Sequence, residues 1–516
     1  MAAYTIASVI QKDATEFSAR SAVALAFEDR RVGYWEIDER SDMLAAGLLA
    51  AGAAPGDRIA VLCRNSVESV EIFFAAAKLG AALVPIEASL QGFEIDYRLR
   101  DSGARWLFAD WSGWDCARDL VGTDSGLRLV AVGDEMWTRG GKGLLPYEEL
   151  VEGGAGRRLE VEVEADQTLL LRYGSGTTGV PRAVAQSHDF VLTNALRQVY
   201  DFGLAPGDVF MPASVAEWTA DCDDLSLALW LVGGSVCLPP STRFDADHHC
   251  AALAAAEATV TVASPSHLRV ISHSGALGRH DLSPLRLVCA AGTPSAAELL
   301  QGLARQLPGR EVVQSFGHPE QPGAIALLDS DEAEAGAGSV GRSTGLCELA
   351  VVDAEGAPVA AETVGEIVCR SRPGSREDGA DPGAWLQTGD RGYLDREGFL
   401  FVLEGRSETI VSAGLRVHLA DVEAALAGHH GVAEIALVPI ASDLLGECSR
   451  AHVRARDGVA LDRRELEEYA RARLSPYKVP SEWVLHDSPL PRAACGRLER
   501  RSLVAAGPAA PPSPLG

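Results

Sequence analysis

Segments with helical periodicity alternate with short, continuously apolar runs through most of the chain before Gly338. Residues 35–52 (WEIDERSDMLAAGLLAAG) carry apolar side chains at helical spacing and end at a glycine, and residues 54–63 (APGDRIAVLC) predict a turn followed by a strand. Residues 67–86 (VESVEIFFAAAKLGAALVPI) predict a helix, a break at Gly80 and a buried strand. Alternating units of this length predict α/β layers with a largely parallel sheet.

The same alternation returns after residue 208 and ends in a strand signal at residues 311–321 (EVVQSFGHPEQ). The chain has 516 residues, which exceeds the size at which one hydrophobic core stops growing. Two similar α/β halves therefore fit this length better than one large sheet. Beyond Gly338 the periods shorten in residues 348–359 (ELAVVDAEGAPV) and 364–371 (VGEIVCRS), which predicts β-hairpins or a small β-barrel-like part.

The pattern changes again near residue 405. Residues 395–417 (DREGFLFVLEGRSETIVSAGLRV) alternate strongly, and Asp462 with Glu465 predicts a capping box at the start of a helix over residues 463–474. We expect a large N-terminal domain, a compact α+β C-terminal domain and a disordered Pro/Ala/Gly-rich tail, over residues 1–405, 406–504 and 505–516 respectively.

Composition and charge argue against several classes of function. A net charge of −26 weighs against binding to nucleic acid or to an anionic membrane surface. The chain has no run of about 18 uncharged apolar residues, so no membrane span is predicted. Residues 1–17 lack the basic region and apolar core of a signal peptide, so a cytoplasmic location is expected. The ten cysteines are scattered without a CxxC pair, which indicates neither a zinc site nor a disulfide framework.

Residues 173–182 (YGSGTTGVPR) form a glycine-rich segment after a strand-like apolar run. Glycine lets the backbone approach a ligand closely, so that successive N–H groups can point into one concavity. Hydroxyl and guanidinium donors add to these groups, from Ser175, Thr177, Thr178 and Arg182. Such a segment suits a polyphosphate, although it is not a Walker A loop because no Gly-Lys-Ser/Thr closes it. A flexible surface turn is the alternative interpretation.

Four further motifs follow this segment along the chain: SFGHPEQ (residues 315–321), WLQTGDRGYLD (385–395), GRSETIVSAGLRVHLADVEAAL (405–426) and PLPRAACGRLERRSL (489–503). In order and spacing, the five motifs closely resemble those of the AMP-forming adenylating superfamily of acyl- and aryl-CoA synthetases, peptide-synthetase adenylation domains and luciferases. The similarity covers nearly the whole chain. It implies that the N-terminal domain binds ATP and the acid, and that the small C-terminal domain is mobile.

The resemblance assigns the glycine-rich segment to the phosphates of ATP. Gly174 and Arg182 stand where the family has Thr and Lys. Thr178 and Arg182 are implied to be catalytic, and Thr178 also to lie near Mg²⁺. The nucleotide-binding residues implied here are Gly174, Ser175, Gly176, Thr177, Thr178 and Gly179, together with Gly292 in LRLVCAAGTPS, which is also assigned to the substrate.

The SFGHPEQ motif resembles the family's YGxTE. Phe316 would then stack on adenine beside Gly317, and His318 would face the substrate. Glu320 would act in catalysis by ligating the Mg²⁺ that bridges the phosphates. Pro319 replaces the usual threonine and so removes a hydroxyl expected near the α-phosphate. A plain turn is the alternative interpretation.

The third and fourth motifs supply further implied roles. Asp390 matches the family's aspartate that accepts hydrogen bonds from the ribose hydroxyls. Arg406 matches a residue near the ribose and the α-phosphate, and Glu408 matches an acidic hinge between the two domains. Gly414 belongs to a segment that lines the pantetheine channel in CoA ligases. The same segment also predicts a hairpin and an amphipathic helix, and both interpretations can hold.

The fifth motif carries the most informative departure, because Arg497 stands where the family has a catalytic lysine that contacts the carboxylate and the α-phosphate. Ammonium and guanidinium groups are not interchangeable in a tight site. The chain has 42 arginines and only four lysines, which favours compositional drift as one explanation. Lys478 is nevertheless retained in SPYKVP, so altered chemistry stays open as the other.

Residues 209–234 match the region that lines the acid pocket in relatives. Val215 replaces the histidine found in many acyl-CoA ligases, and Asp221 falls where amino-acid-adenylating relatives have the aspartate that binds the α-amino group. Further acidic residues nearby, Glu217, Asp223 and Asp224, make an amine-bearing substrate conceivable. A solvated acidic start of a helix explains the same residues.

The resemblance implies a reaction in two halves with ATP, Mg²⁺ and CoA. A carboxylate attacks the α-phosphorus and releases pyrophosphate; the C-terminal domain then turns about Glu408, and a thiol attacks the acyl-AMP. The expected partners are a small acid or amine and no nucleic acid. Two alternatives stay open: an amino-acid-adenylating enzyme that loads a separate carrier protein, and an ATP-dependent diazotase that activates nitrite for an aryl amine. A non-catalytic nucleotide-binding protein is a further possibility.

Overall fold

The computed structural model describes most of the chain, over residues 4–16, 22–87, 90, 92–118, 126–133, 144–174, 182–213, 225–240, 244–291, 297–318, 320–371, 384–404, 409–412, 415–442, 445–456, 458–459, 461–486, 488–491 and 503. The predicted tail over residues 505–516 and the predicted domain boundary at residues 405–406 lie outside these ranges.

The helices among the described residues are α1 (Ile6–Glu16), α2 (Tyr34–Ala50), α3 (Val67–Leu79), α4 (Gly92–Ser102), α5 (Trp111–Arg118), α6 (Tyr147–Gly154), α7 (His188–Asp201), α8 (Ser226–Val232), α9 (Ala246–Ala255), α10 (Pro265–Ser274), α11 (Ala297–Gln306), α12 (Leu419–Ala427) and α13 (Arg463–Arg471). Short 3₁₀ turns add Ala276–Gly278 and Pro476–Lys478.

The strands of the first half of the chain are β1 (Val23–Phe27), β2 (Arg30–Gly33), β3 (Arg58–Leu62), β4 (Ala82–Pro85), β5 (Trp106–Ala109), β6 (Arg128–Ala131), β7 (Leu145–Pro146), β8 (Thr168–Gly174), β9 (Arg182–Ser187), β10 (Val209–Phe210) and β11 (Ser235–Leu238). Those of the second half are β12 (Val260–Ala263), β13 (Leu287–Ala291), β14 (Glu311–Gly317), β15 (Ala324–Asp329), β16 (Arg342–Ser343), β17 (Cys347–Val352), β18 (Gly365–Ser371), β19 (Leu386–Leu394), β20 (Leu400–Glu404), β21 (Thr409–Ser412), β22 (Leu415–His418), β23 (Val432–Ser442), β24 (Gly446–Ala455) and β25 (Glu482–His486).

Two large sheets carry the α/β part of the chain. One has seven strands in the order β7-β6-β5-β3-β4-β8-β9, and the other has nine in the order β16-β15-β14-β13-β12-β10-β11-β1-β2. Strands β4 and β5 are buried at every position, which is typical of parallel strands covered on both faces. The predicted pair of α/β halves with a largely parallel sheet arrangement is therefore confirmed.

Helix α3 shows how local sequence signals produce these layers. Ser66 accepts a hydrogen bond from the Ser69 N–H, and the two residues form a capping box. At the other end Gly80 adopts the left-handed conformation that ends the helix, as its place in the sequence predicts. Phe74 of this helix meets Trp230 of α8 edge to face, with 5.6 Å between ring centroids, so residues from the two sheets belong to one hydrophobic core.

A third sheet follows the large ones in the chain, and it corresponds to the predicted small β-barrel-like part. Strands β17, β18, β19 and β20 pair antiparallel in that order. Burial alternates along β19, where Leu386, Thr388 and Asp390 are buried and their neighbours are exposed. This period of two places Asp390 on the covered face of the sheet.

The chain divides into two compact units, of which the first contains residues 1–88, 94–172 and 183–406, and the second contains residues 89–93, 173–182 and 407–516. The second unit has its own sheet of β21 to β25 and its own core, which includes Val422 and Leu466. Helix α13 begins after Asp462, but that side chain makes no capping hydrogen bond. The predicted capping box is thus wrong: the Glu465 carboxylate instead lies 3.3 Å from Nε2 of His429.

Within the described ranges, no helix combines the length and the apolar character that a membrane crossing requires.

His452 of β24 makes the second unit sensitive to acid. The side chain is fully buried, and its Nδ1 lies 2.8 Å from Nε2 of His486. Burial, together with the neighbouring His486 and Arg450, lowers the pKa of His452 from 6.5 to about 4. The unfolded chain therefore binds a proton at a higher pH than the folded chain does. The stability that depends on neutral His452 is present above pH 6.5 and is lost as the pH falls toward about 4.

We predict that His452→Gln, which cannot titrate, reduces the loss of melting temperature between pH 7.5 and pH 5. At pH 5 we expect this residue to lower the free energy of unfolding by about 1–2 kcal/mol relative to pH 7.5. Thermal unfolding followed by circular dichroism at several pH values measures it. The exposed His430→Gln serves as the control, and equal pH profiles for both variants would contradict the assignment.

Candidate nucleotide-binding and active site

The candidate site is built at the carboxyl end of β14. This strand pairs parallel with β13 and, on its other side, antiparallel with β15. Residues 318–323 connect β14 to β15. In open α/β sheets, ligands bind beyond the carboxyl ends of the parallel strands, so the residues at this end of β14 are well placed to meet a nucleotide.

His318 organises the first part of this connection. Its Nδ1 accepts a hydrogen bond from the Glu320 N–H at 3.3 Å, and its carbonyl oxygen accepts one from the Gln321 N–H at 2.9 Å. Nδ1 must be unprotonated to accept, so a neutral His318 carries its proton on Nε2. The backbone at Glu320 is thereby fixed relative to the end of the strand. His318, which the sequence assigns to the substrate, thus also shapes the turn that carries Glu320.

Phe316 lies between the end of β14 and the third sheet. The ring is half-buried, and it packs against residues of β15, β17, β18 and β19 that include Ile325, Cys369 and Leu386. Apolar packing on part of the ring fixes its orientation, while the rest stays accessible. A fixed, partly accessible aromatic face is what stacking on a base requires.

Asp390 is held by a short relay of hydrogen bonds. Its backbone N–H donates to Oγ1 of Thr388 at 3.1 Å, and that hydroxyl donates to the Ile367 carbonyl at 2.7 Å. Asp390 is buried on the same face of β19 as Leu386, which packs with Phe316. Four residues along a strand span about 13 Å. The carboxylate therefore faces the same side of the sheet as the aromatic ring, within reach of one extended ligand.

Helix α7 contributes residues that the motifs do not contain. The guanidinium of Arg197 is buried and donates to the carbonyl oxygens of Pro322 and Ala324, and the Asn194 side chain accepts from the Gly323 N–H. These contacts fix the second part of the connection that carries Glu320. Sequence reasoning missed both residues. The acceptors of Arg197 and the donor to Asn194 lie far away in the sequence, so no local pattern indicates either residue.

Most of the other residues assigned by resemblance lie outside the described part of the chain. Gly174 ends β8 and Arg182 begins β9, and Gly317 ends β14. The remainder are Ser175, Gly176, Thr177, Thr178, Gly179, Val215, Asp221, Gly292, Pro319, Arg406, Glu408, Gly414 and Arg497. Their roles stay predictions.

The described residues fit a magnesium nucleotide. Phe316 offers an aromatic face, and Asp390 offers a carboxylate that can accept hydrogen bonds from hydroxyls. Glu320 offers carboxylate oxygens, which are the ligands that Mg²⁺ prefers. Phe316 lies at the end of β14 and Glu320 on the connection that follows it, and Asp390 lies on the covered face of β19, whose Leu386 packs with Phe316.

Comparisons with known proteins identify the family of this chain. The chain matches the AMP-binding enzyme family over residues 10–375 and the C-terminal domain of AMP-binding enzymes over residues 421–497. The chain therefore belongs to the AMP-binding enzyme family. The predicted relationship to AMP-forming adenylating enzymes is confirmed, and so is the predicted class of AMP-forming acid–thiol ligases that use ATP and Mg²⁺.

Individual relatives are CoA ligases. The 2-succinylbenzoate–CoA ligase of Geobacillus kaustophilus is 29% identical over 492 residues, which cover 93% of this chain and 94% of the relative. The indoleacetate–CoA ligase of Aromatoleum aromaticum is 29% identical over 497 residues, covering 93% and 95%. A solved structure of o-succinylbenzoate CoA synthetase from Bacillus subtilis, bound with a product analogue, has a TM-score of 0.79 and 25% identity over 97% of this chain and 98% of that one.

We predict that Thr388→Val weakens AMP binding. The valine removes the hydroxyl that accepts from the Asp390 N–H and donates to the Ile367 carbonyl. An unsatisfied buried polar group costs about 1–3 kcal/mol, so affinity for AMP should fall about 5- to 150-fold if Asp390 binds the ribose and this cost falls on the bound form. Isothermal titration calorimetry measures the change. Thr388→Ser keeps the hydroxyl and is the matched control; equal affinities for the two variants would contradict the role of the relay.

Proposed function

We propose that this enzyme converts a small carboxylic acid, aryl or amino-bearing, into its acyl-adenylate and then into a thioester of CoA. The observation that carries the proposal is the arrangement at the end of β14. A half-buried aromatic ring ends this strand, a carboxylate lies on the turn that follows, and a buried carboxylate lies on the sheet that packs against the ring. The chain matches CoA ligases over more than nine-tenths of its length. Both relatives named above act on acids with an aromatic ring, which favours an aryl acid.

In the first half-reaction, Phe316 holds the adenine and Asp390 accepts hydrogen bonds from the ribose hydroxyls. Glu320 supplies a ligand for Mg²⁺, which when bound neutralises charge on the phosphates. A carboxylate oxygen of the acid forms a bond to the α-phosphorus as the bond to the departing pyrophosphate breaks. Positioning and charge neutralisation provide the catalysis, as in other phosphoryl and nucleotidyl transfers.

The residues assigned by resemblance complete this proposal. Residues 174–179 bind the departing phosphates through backbone N–H groups and hydroxyls, with Thr178 near the metal, and Arg182 adds positive charge. Gly292 and Arg406 lie toward the nucleotide, and Arg497 contacts the carboxylate and the α-phosphate during adenylation.

In the second half-reaction the CoA thiolate attacks the acyl carbon, and AMP leaves with the bonding electrons of the acyl–phosphate bond. The C-terminal domain turns about Glu408, and the segment of Gly414 lines the route of the pantetheine. The named relatives all use CoA, and they give no support to a carrier protein. Asp221 would favour an amine-bearing acid, and an aryl amine with nitrite remains the alternative reaction of the same site.

One assay separates these alternatives. Pyrophosphate release is measured with a panel of aryl acids, amino acids, and nitrite plus an aryl amine, each with and without CoA. We expect release with aryl acids and formation of an acyl-CoA when CoA is present. Release that needs nitrite would establish the diazotase reaction instead, and release with no member of the panel would contradict the proposed function.

Glu320→Gln should abolish pyrophosphate release with every acid that the wild type accepts. The amide keeps the size of the side chain but removes the charge that binds Mg²⁺, so we expect a loss of at least about 100-fold, the upper range seen when a metal site loses a supporting group. The exposed Glu298→Gln, on α11, is the matched control. Retained activity in Glu320→Gln would contradict the metal assignment.

Arg497→Ala should slow adenylation more than thioester formation from supplied acyl-AMP, because the guanidinium is assigned to the first half-reaction. The two halves are measured separately, by pyrophosphate release and by acyl-CoA formation. Arg497→Lys addresses the origin of the arginine: near-normal rates in that variant indicate drift, whereas a large loss indicates altered chemistry. Equal losses in both halves for Arg497→Ala would contradict its role.

A further inference from the structure

The most buried cation among the described residues of the large unit is the guanidinium of Arg197, which is only 1% exposed. Its Nη1 donates to the Pro322 carbonyl and to Oγ of Ser371, and its Nη2 donates to the Ala324 carbonyl at 3.1 Å and to Oγ1 of Thr344 at 3.3 Å. Four acceptors from three separate segments thus surround one planar group. Burying a charge is costly unless it is well paired, so this arrangement calls for an explanation.

Two further residues of the same helix contact the same stretch of backbone, residues 322–324. Oδ1 of Asn194 accepts from the Gly323 N–H at 2.7 Å, and Asp201 forms a hydrogen bond with the backbone of Ala324. Burial raises the pKa of Asp201 to about 6, although Arg197 opposes the shift. Positions 194, 197 and 201 lie on one face of a helix. Helix α7 therefore holds the backbone of residues 322–324 through consecutive turns.

Gly323 allows the close approach. Its φ is +73°, in the region that favours glycine, and a Cβ at this position would lie 2.9 Å from both Cβ and Nε of Arg197. The carbonyls on either side of this residue can therefore both point at one guanidinium. The backbone conformation and the buried cation depend on each other.

His318 precedes Glu320 in the sequence, and the two carbonyl groups that Arg197 contacts follow it. His318 fixes the backbone at residues 320 and 321, and Arg197 fixes it at residues 322 and 324. The carboxylate that we assign to Mg²⁺ is thus carried by a turn that is held from both ends.

We propose that Arg197 is a positioning residue for the metal-binding carboxylate: it fixes the backbone of residues 322–324, which follows Glu320, so that Glu320 meets Mg²⁺·ATP in a single orientation. The inference rests on the proposed function, in which Glu320 ligates the metal. Both Nη atoms of Arg197 donate to protein acceptors, so we assign this residue no contact with the nucleotide or the metal. Its effect should therefore appear in the affinity for the metal–nucleotide complex rather than in the affinity for the nucleoside part.

The test uses Mn²⁺ in place of Mg²⁺ and the full chain without any acid. Water-proton relaxation gives the dissociation constant of Mn²⁺·ATP, and calorimetry gives that of AMP without metal. We expect Arg197→Met to weaken Mn²⁺·ATP binding about 10- to 100-fold, the usual effect of removing a group that orients a metal ligand. AMP affinity should change much less, because Phe316 and Asp390 are retained.

Arg197→Lys keeps the charge but offers three donors from one point, so an intermediate loss of Mn²⁺·ATP affinity is expected. This variant also decides the question if Arg197→Met does not fold. The matched control is Arg286→Met, which removes a partly buried arginine that pairs with Asp208 away from the turn. It should lower stability and leave both affinities unchanged.

Equal weakening of Mn²⁺·ATP and AMP binding in the Arg197 variants, or no weakening of either, would overturn the inference in favour of a purely structural role. Glu320→Gln separates this result from a failure of the proposed function. If Glu320→Gln leaves Mn²⁺·ATP binding unchanged, the metal assignment itself fails. If Glu320→Gln weakens it and the Arg197 variants do not, only the positioning role fails.

Discussion

The candidate site depends on the pairing of β14, which is parallel to β13 on one side and antiparallel to β15 on the other. A parallel strand needs a long crossover to its next partner, but an antiparallel partner can follow after a short connection. The connection of residues 318–323 therefore stays at the end of the strand, beside the residues that a nucleotide would meet. Because it is short, its conformation is set by a few contacts, those of His318 on one side and Arg197 on the other.

The third sheet gives this connection its second support. Strands β18 and β19 cover the end of β14 and β15, and Phe316 packs into the apolar contact between them. The alternation of β19 then sends Asp390 to the covered side. One layer thus does two things: it orients the aromatic ring and it carries the carboxylate. A change in the register of β19 by one residue would turn Asp390 to solvent, so the pairing of this sheet is part of the site.

The elements that could be predicted are those with a local signal. The helix that ends at Gly80 follows from sequence spacing, and the α/β class follows from alternating units. Glu320 and Asp390 were found through motifs of a few adjacent residues, and the family match supports the enzyme class to which those motifs point. The capping box at Asp462 shows the limit of such signals. Glu465 has a competing partner, His429, that lies 36 positions earlier in the chain, and no local pattern reveals it.

Arg197 could not be predicted for the same reason. Its acceptors Pro322 and Ser371 are separated from it by 125 and 174 positions, and only the packing of α7 against β15 and β18 brings them together. From the sequence alone, one arginine among 42 in an arginine-rich chain carries no information.

The geometry at position 197 also shows whether the arginine there can be explained by compositional drift alone. Two carbonyls on either side of Gly323 and two hydroxyls, from Thr344 after β16 and Ser371 at the end of β18, surround the side chain. An ammonium group has three donors at a single point, whereas guanidinium has five in a fixed plane. A lysine at 197 could donate to some of these acceptors but not to all four at once. Drift in base composition can supply arginines throughout a chain. At position 197 the residue is set by the need to satisfy four acceptors at once, whatever the composition.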